Sequence, residues 1–243
     1  MGLLALSGPL LAVGVSFEDP VGDDNGPGTY VYPTDAVYTR GSFDLVKLEL
    51  TDKAAAVTVN ANLEDPWGMK VGFATQMVFI FIDTDGKEGS GFAGSLPGLN
   101  VTFAPGSEWE KVIILSPQPV GRLKQEVEAK AGEMASAVII PSRTRGAGRT
   151  ITGSIKLADI GAGDPATWGY QVVMQSNEGF PADDDLLTRR VNEFEGQHRF
   201  GGGSDFLCDP HVMDILGDHA QLAHECGPDG TTVKAAQLVM QRR

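Results

Sequence analysis

The chain has 243 residues, 42% hydrophobic and 21% charged, with 32 Asp and Glu against 19 Lys and Arg, for a formal charge of −13. That hydrophobic content can bury a real core, so disorder is not the default state. The acidic excess repels phosphate backbones and anionic membrane surfaces while favouring cations, which argues against nucleic acid as a partner.

At the start, residues 1–15 (MGLLALSGPLLAVGV) are apolar and rich in small residues. They are shorter than the about 20 residues a membrane-spanning helix needs. They read as the hydrophobic and cleavage regions of a secretory signal lacking its basic start, or as an N-terminal strand. No other stretch is long and apolar enough for a transmembrane span. Residues 16–243 read as a single domain, a length that all-β sandwiches reach as one unit.

In residues 17–35 (FEDPVGDDNGPGTYVYPTD), Asp19, Asp23, Asp24, Asn25 and Asp35 crowd among glycines and prolines. Tight loops can aim several oxygens inward, and calcium takes about six to eight oxygen ligands. The spacing departs from the EF-hand loop, and the same residues suit a turn in which Asp and Asn cap their own backbone. Both readings stand at this level.

Alternating or β-branched runs bounded by Gly, Pro, Asn and Asp then predict strands over Phe43–Thr51, Ala55–Asn62, Gln76–Asp83, Lys111–Ser116, Ala135–Pro141, Arg149–Lys156, Tyr170–Gln175 and Thr232–Met240. Met77–Asp83 (MVFIFID) is apolar up to its aspartate, the pattern of a central strand covered on both faces. It breaks into a glycine-rich rim turn in which Asp83 and Asp85 form an Asx-turn or offer ligands. Short helices are predicted at Leu157–Ile160 and Asp218–Cys226, and Gly201–Ser204 is a candidate hinge.

An exposed indole offers a flat apolar face to a sugar ring, with its N–H free to hydrogen-bond. Trp67 and Trp109 lie in loop-like contexts and are candidate ligand platforms, whereas Trp168 enters a strand. Asp183–Asp185 reads as a solvated acidic loop. His198, His211, His219 and His224 fit no zinc or copper spacing, since there is no HExxH and no CxxC. Cys208 and Cys226, if paired, close a loop of under twenty residues worth about 3 kcal/mol; otherwise they are buried thiols. No GxSxG elbow, GxGxxG or Walker-type loop is present, so no catalytic residue is assigned.

Taken in order, Asp19–Pro33 (DPVGDDNGPGTYVYP), Phe43-Asp44-Leu45, Pro66-Trp67-Gly68, Gly72-Phe73, Pro97–Val101, Trp168-Gly169-Tyr170, Asn177–Phe180, Arg190-Val191, Phe200–Gly203 and Val212–Leu216 resemble the C-terminal binding module of glucodextranase and of amylopullulanases. The resemblance implies an all-β, immunoglobulin-like or DOMON-like antiparallel β-sandwich, similar to family 9 carbohydrate-binding modules, with a few short helices. It further implies a non-catalytic role outside the membrane, secreted, periplasmic or at the cell surface. Polysaccharide, a cell-surface glycan or other envelope proteins would be its partners. Because fold alone does not settle a ligand, a structural subunit of a surface-layer assembly and a haem or copper redox domain remain as alternatives. Onto this sequence the resemblance carries the Asp19/Asp23/Asp24 loop and the Trp67 motif.

Overall fold

The structure, a computed structural model, describes residues 14–205 and 208–243. Most of the expected leader therefore lies outside the described residues, while Val15 at its end already opens the first strand. In chain order the strands are β1 (Val15–Glu18), β2 (Leu45–Leu50), β3 (Ala54–Val59), β4 (Gln76–Asp83), β5 (Thr102–Phe103), β6 (Lys111–Leu115), β7 (Val138–Ile139), β8 (Arg143–Ala147), β9 (Thr150–Ser154), β10 (Gly169–Ser176), β11 (Asp214–Ile215), β12 (Glu225–Cys226), β13 (Thr232–Lys234) and β14 (Gln237–Leu238). Helix α1 (Val120–Lys130) follows β6, and the single-turn helix α2 (Leu157–Ile160) follows β9.

Two five-stranded sheets face each other, with strand orders β1-β2-β3-β9-β8 and β11-β10-β4-β6-β7. Within these two sheets the pairings are antiparallel except β6 with β7. Period-two alternation decides what goes between them. Leu48, Leu50, Val57, Val59 and Ile151 of the first sheet meet Val78, Ile80, Ile82, Ile113, Leu115, Val172 and Met174 of the second. This is an all-β sandwich.

The second sheet is covered on its other face as well. Met77, Phe79, Phe81, Val112, Ile114 and Val173 point away from the first sheet into a core built with Leu96, Leu99, Phe103, Trp109, Leu186 and Leu187. Every residue of β4 and β10 is consequently buried, which is why residues 77–82 carry no polar position. Burying each such side chain contributes about 1.5–3 kcal/mol.

Helix α1 closes part of that second core and was not foreseen from the sequence. Its buried residues are Leu123 and Val127, an i, i+4 pair and only two apolar anchors in a charged segment. Arg122, Glu126 and Lys130 run along a neighbouring face as ion pairs of 3.9 and 2.9 Å. The strand expected at Ala135–Pro141 is instead a 3₁₀ turn over Gly132–Ala137 followed by the two-residue β7. The helix expected at Asp218–Cys226 is a 3₁₀ turn at His219–Leu222, capped by the Asp218 carboxylate, leading into β12. The Thr232–Met240 run divides into β13 and β14.

Gly201–Ser204 is not a hinge. Gly201 exchanges both backbone hydrogen bonds with Val31, at 2.9 and 3.0 Å, and Gly202 donates to Glu193. A Cβ on Gly202, which sits at φ +85°, would lie 2.1 Å from the Thr29 carbonyl oxygen, so glycine is required for this close approach.

Cys208 and Cys226 are joined as a disulfide across a sequence separation of 18, tying the 208–212 segment to β12. Removing it with the double variant C208S/C226S is expected to lower unfolding free energy by about 3 kcal/mol, read from urea melts; unchanged midpoints would show that the crosslink contributes nothing. His211 is buried beside this segment and its Nδ1 accepts the Val191 N–H at 3.2 Å. Burial pushes its pKa down to about 4. The neutral ring therefore contributes stability that is fully present above about pH 6.5 and is lost as pH falls through about 4. The variant H211N, whose amide oxygen can still accept that N–H, should lose less stability than the parent between pH 6.5 and 4; parallel melts across that range would refute the assignment.

Candidate functional site

The acidic loop after β1 folds back across the end of the sandwich. Asp19 N donates to the Val46 carbonyl at 2.9 Å, and Gly26 N donates to the Met213 carbonyl at 2.8 Å. Gly26 sits at φ +59°, and any Cβ there would lie 2.2 Å from the Tyr30 ring, so a glycine is required at this turn. These tethers bring Asp19, Asp23 and Asp24 up to Asp44, just ahead of β2, and to Asp214 on β11.

The carboxylates are only partly satisfied. Asp19 Oδ1 accepts from Gly217 N at 2.6 Å, and Asp44 Oδ2 accepts from Gly22 N and Asn60 Nδ2 at 2.9 and 3.0 Å. Asp214 Oδ2 accepts from Leu45 N at 2.6 Å. Their other oxygens are a different matter: Asp19 Oδ2, Asp23 Oδ1 and Asp44 Oδ1 are buried without a donor among the described residues. An unpaired buried carboxylate oxygen is expensive.

The electrostatics say the same. Burial, reinforced by the charges of Asp214 and Asp23, raises the Asp19 carboxyl to about 8. Burial raises Asp214 to about 7 with a further contribution from Asp23, and burial with the charges of Asp24 and Asp23 raises Asp44. Asp23 is thus the common neighbour of the other three.

His219 supplies one internal counter-charge. Burial works against its charged form, but a 2.7 Å contact and attraction to Asp214, together with the Gly26 carbonyl at 2.9 Å, lift its pKa to about 9. Both ring nitrogens face oxygen acceptors, which favours the protonated ring. Asp23, Asp214 and His219 offer ligand atoms within 4.8 Å of one another, a grouping that could hold an ion. A carboxylate-rich grouping, with unpaired buried oxygens on Asp19, Asp23 and Asp44, fits a hard cation such as calcium.

Two of the five residues singled out in this loop stand apart from the cluster. Asn25 is exposed, and its carbonyl accepts from Gly28 N and Tyr30 N, a turn role. The Asp35 carboxylate accepts from Val37 N and Gln197 Nε2, both at 3.0 Å, on a different part of the surface. Asp44, Asp214 and His219 were not foreseen. The available signal was an acid inside an apolar run, as in Phe43-Asp44-Leu45-Val46 and Met213-Asp214-Ile215-Leu216.

Trp67 and Trp109 separate completely. Trp109 is fully buried between Phe81 and Phe92, with its Nε1 donating to the Gly94 carbonyl at 2.8 Å, so it is a core residue and not a ligand platform. Trp67 is 47% exposed in the β3–β4 loop. Its ring meets the His198 ring edge-on, with centroids 5.5 Å apart. The His198 carbonyl accepts from Arg189, whose Nε pairs with Glu178 at 2.7 Å. Gln197 and Asp35 lie alongside.

Two other polar clusters are largely bonded within themselves. Asp83 Oδ1 accepts from Asp85 N and Gly86 N while Oδ2 pairs with Arg242, the Asx-turn reading of that rim. In the pocket bounded by Pro97, Gly98 and His211, the Arg190 guanidinium is spent on Asp184 and Asp185 at 2.6 to 3.1 Å.

A family model matches residues 15–231, described as the C-terminal binding-module, SLH-like, of glucodextranase. Comparison with curated proteins finds no match. The matched span opens at the first residue of β1 and runs to the β12–β13 turn, so it takes in both large sheets, the carboxylate cluster and the Trp67 loop. With most of its length covered, the chain belongs to the family of SLH-like C-terminal binding modules of glucodextranase.

Proposed function

We propose that the chain is a non-catalytic module that binds polysaccharide or a cell-surface glycan outside the cell membrane, with Trp67 as its sugar platform. The observation that carries this reading is the half-exposed Trp67 indole, set edge-on to the His198 ring, with Arg189 and Glu178 linked to it through the His198 carbonyl. An aromatic face beside fixed polar groups is the composition that stacks a sugar ring and addresses its hydroxyls. Family membership and the disulfide support the same role and an oxidising location. No helix among the described residues is long and apolar enough to cross a membrane.

In the same reading, calcium is held at Asp23, beside Asp214, with Asp19, Asp24 and Asp44 completing the negative surround. A bound cation would supply the charge that the three unpaired oxygens lack. Asp24 is linked inward through Tyr32, whose hydroxyl donates to it and accepts from Phe43 N at 3.2 Å.

Two outcomes are expected. Chelation should lower the melting temperature by about 5–10 °C and calcium should restore it, since binding at a hundredfold excess over Kd adds about 2.7 kcal/mol. D23N should remove that response, while D19N should raise the melting temperature of the metal-free protein, because a neutral amide escapes the desolvation that strains the carboxylate. An unchanged melt after elemental analysis confirms metal removal would reduce the loop to a turn. Pull-down on insoluble glucans and cell-wall fractions tests the glycan reading: the parent should be retained, and W67A should bind about tenfold more weakly. No retention on any fraction, or full retention by W67A, would count against it.

A further inference from the structure

Phe180 is 95% exposed, the largest exposure of any large hydrophobic side chain among the described residues. Its loop is nonetheless firmly placed. Helix α1 reaches across with Arg122, which donates to the Gly179 carbonyl, and with Lys130, whose Nζ donates to the carbonyls of Ala182 and Asp185 at 3.2 and 2.8 Å. Phe180 N donates to its neighbour Glu178 at 2.8 Å. A loop clamped at both ends presents the ring outward by construction, where an untethered apolar side chain would fold down onto the surface.

Beside the ring lies a groove of about 480 Å³ lined by Pro181, Asp183, Gln125, Glu126 and the two clamping cations. Its size is in the range of small-ligand sites. Its formal charges balance, with Glu126 and Asp183 set against Arg122 and Lys130, and Glu126 pairs with Lys130 at 2.9 Å and with Arg122 at 3.9 Å. A groove with an aromatic wall and a polar floor of no net charge suits a neutral polyhydroxylated ligand better than a phosphate or a peptide acid.

A chain of contacts also links the Phe180 loop to the Trp67 face. Phe180 N is bonded to Glu178 Oε1, Glu178 Oε2 pairs with Arg189, Arg189 donates to the His198 carbonyl, and the His198 ring abuts Trp67. We propose that Phe180 and its groove form a second sugar-stacking subsite, so that the module recognises an internal stretch of an extended polysaccharide chain across two aromatic platforms. This rests on the glycan reading above and assigns its ligand class.

The test is affinity electrophoresis of the whole chain in gels cast with dextran, pullulan or solubilised cell-wall polysaccharide. The parent should be retarded in at least one gel. F180A should weaken retardation about tenfold there and F180W should retain it, while W67A/F180A should abolish it. Because Phe180 is exposed, F180A should show the parent's circular dichroism and melting temperature. Retardation of the parent with F180A unchanged would overturn the second subsite alone and leave Trp67 as the platform. A parent unretarded in all three gels would overturn both.

Discussion

The pairing of β4 with β10 is the constraint on which the molecule depends. Eight residue pairs, from Asp83 opposite Gly169 to Gln76 opposite Ser176, run in one unbroken antiparallel register. Both faces of this ladder are sealed, by the first sheet on one side and by α1 and the long loops on the other. A doubly covered ladder makes an unpaired polar atom costly, yet it contains Gln76, Gln171 and Gln175, all fully buried. Each amide is used to hold a loop: Gln76 donates to the Ser42 carbonyl, Gln175 to the His211 carbonyl, and Gln171 bonds both Leu216 N and the Val239 carbonyl. The rigid sheet thereby fixes the backbone of the segments that carry Asp44 and Asp214.

The carboxylate cluster follows from that bracketing. Leu45 N donates to Asp214 across 169 residues of sequence, which seats two acids that the chain alone would keep far apart. Around them Asp19 and Asp23 arrive on a loop held by backbone bonds to Val46 and Met213. The result is a set of acids crowded in a site that water solvates poorly, offset in part by the imidazolium of His219. Such an arrangement is unfavourable as a purely structural element, and it is the kind of stored electrostatic debt that a hard cation relieves.

A third, smaller core connects this cluster to the aromatic face. Tyr30, Tyr32, Val37, Tyr38, Phe43, Val191, Phe200 and Met213 pack together beneath the loops, with the Phe43 and Phe200 rings 5.0 Å apart. Tyr32 touches the acidic side through Asp24, and Tyr38 touches the Trp67 side through His198. The two proposed sites are thus supported by one packed unit, so the loops that carry them are held by side-chain packing as well as by backbone bonds.

Much of the sandwich was readable in the chain because local pattern and tertiary environment agree there. Gln76–Asp83 is found with both ends as expected, since an all-apolar run of that length has one good solution, a strand covered on both faces. Where the signal was thin the reading failed: α1 offers only Leu123 and Val127 to its core, and the two-residue β11 is held by a partner distant in sequence, Val173 and Met174 of β10. The loop acids were visible as a group, and Asp19, Asp23 and Asp24 do lie together. Asp44 and Asp214 were not legible as their companions, nor could Trp67 be told from Trp109, because both indoles sit among loop residues. What the sequence determined by itself was the class of fold and an oxygen-rich turn, properties carried by neighbours along the chain. Which acids converge, which indole faces water and that Phe180 stands exposed were decided only by tertiary structure, because each depends on contacts between segments that folding alone brings together.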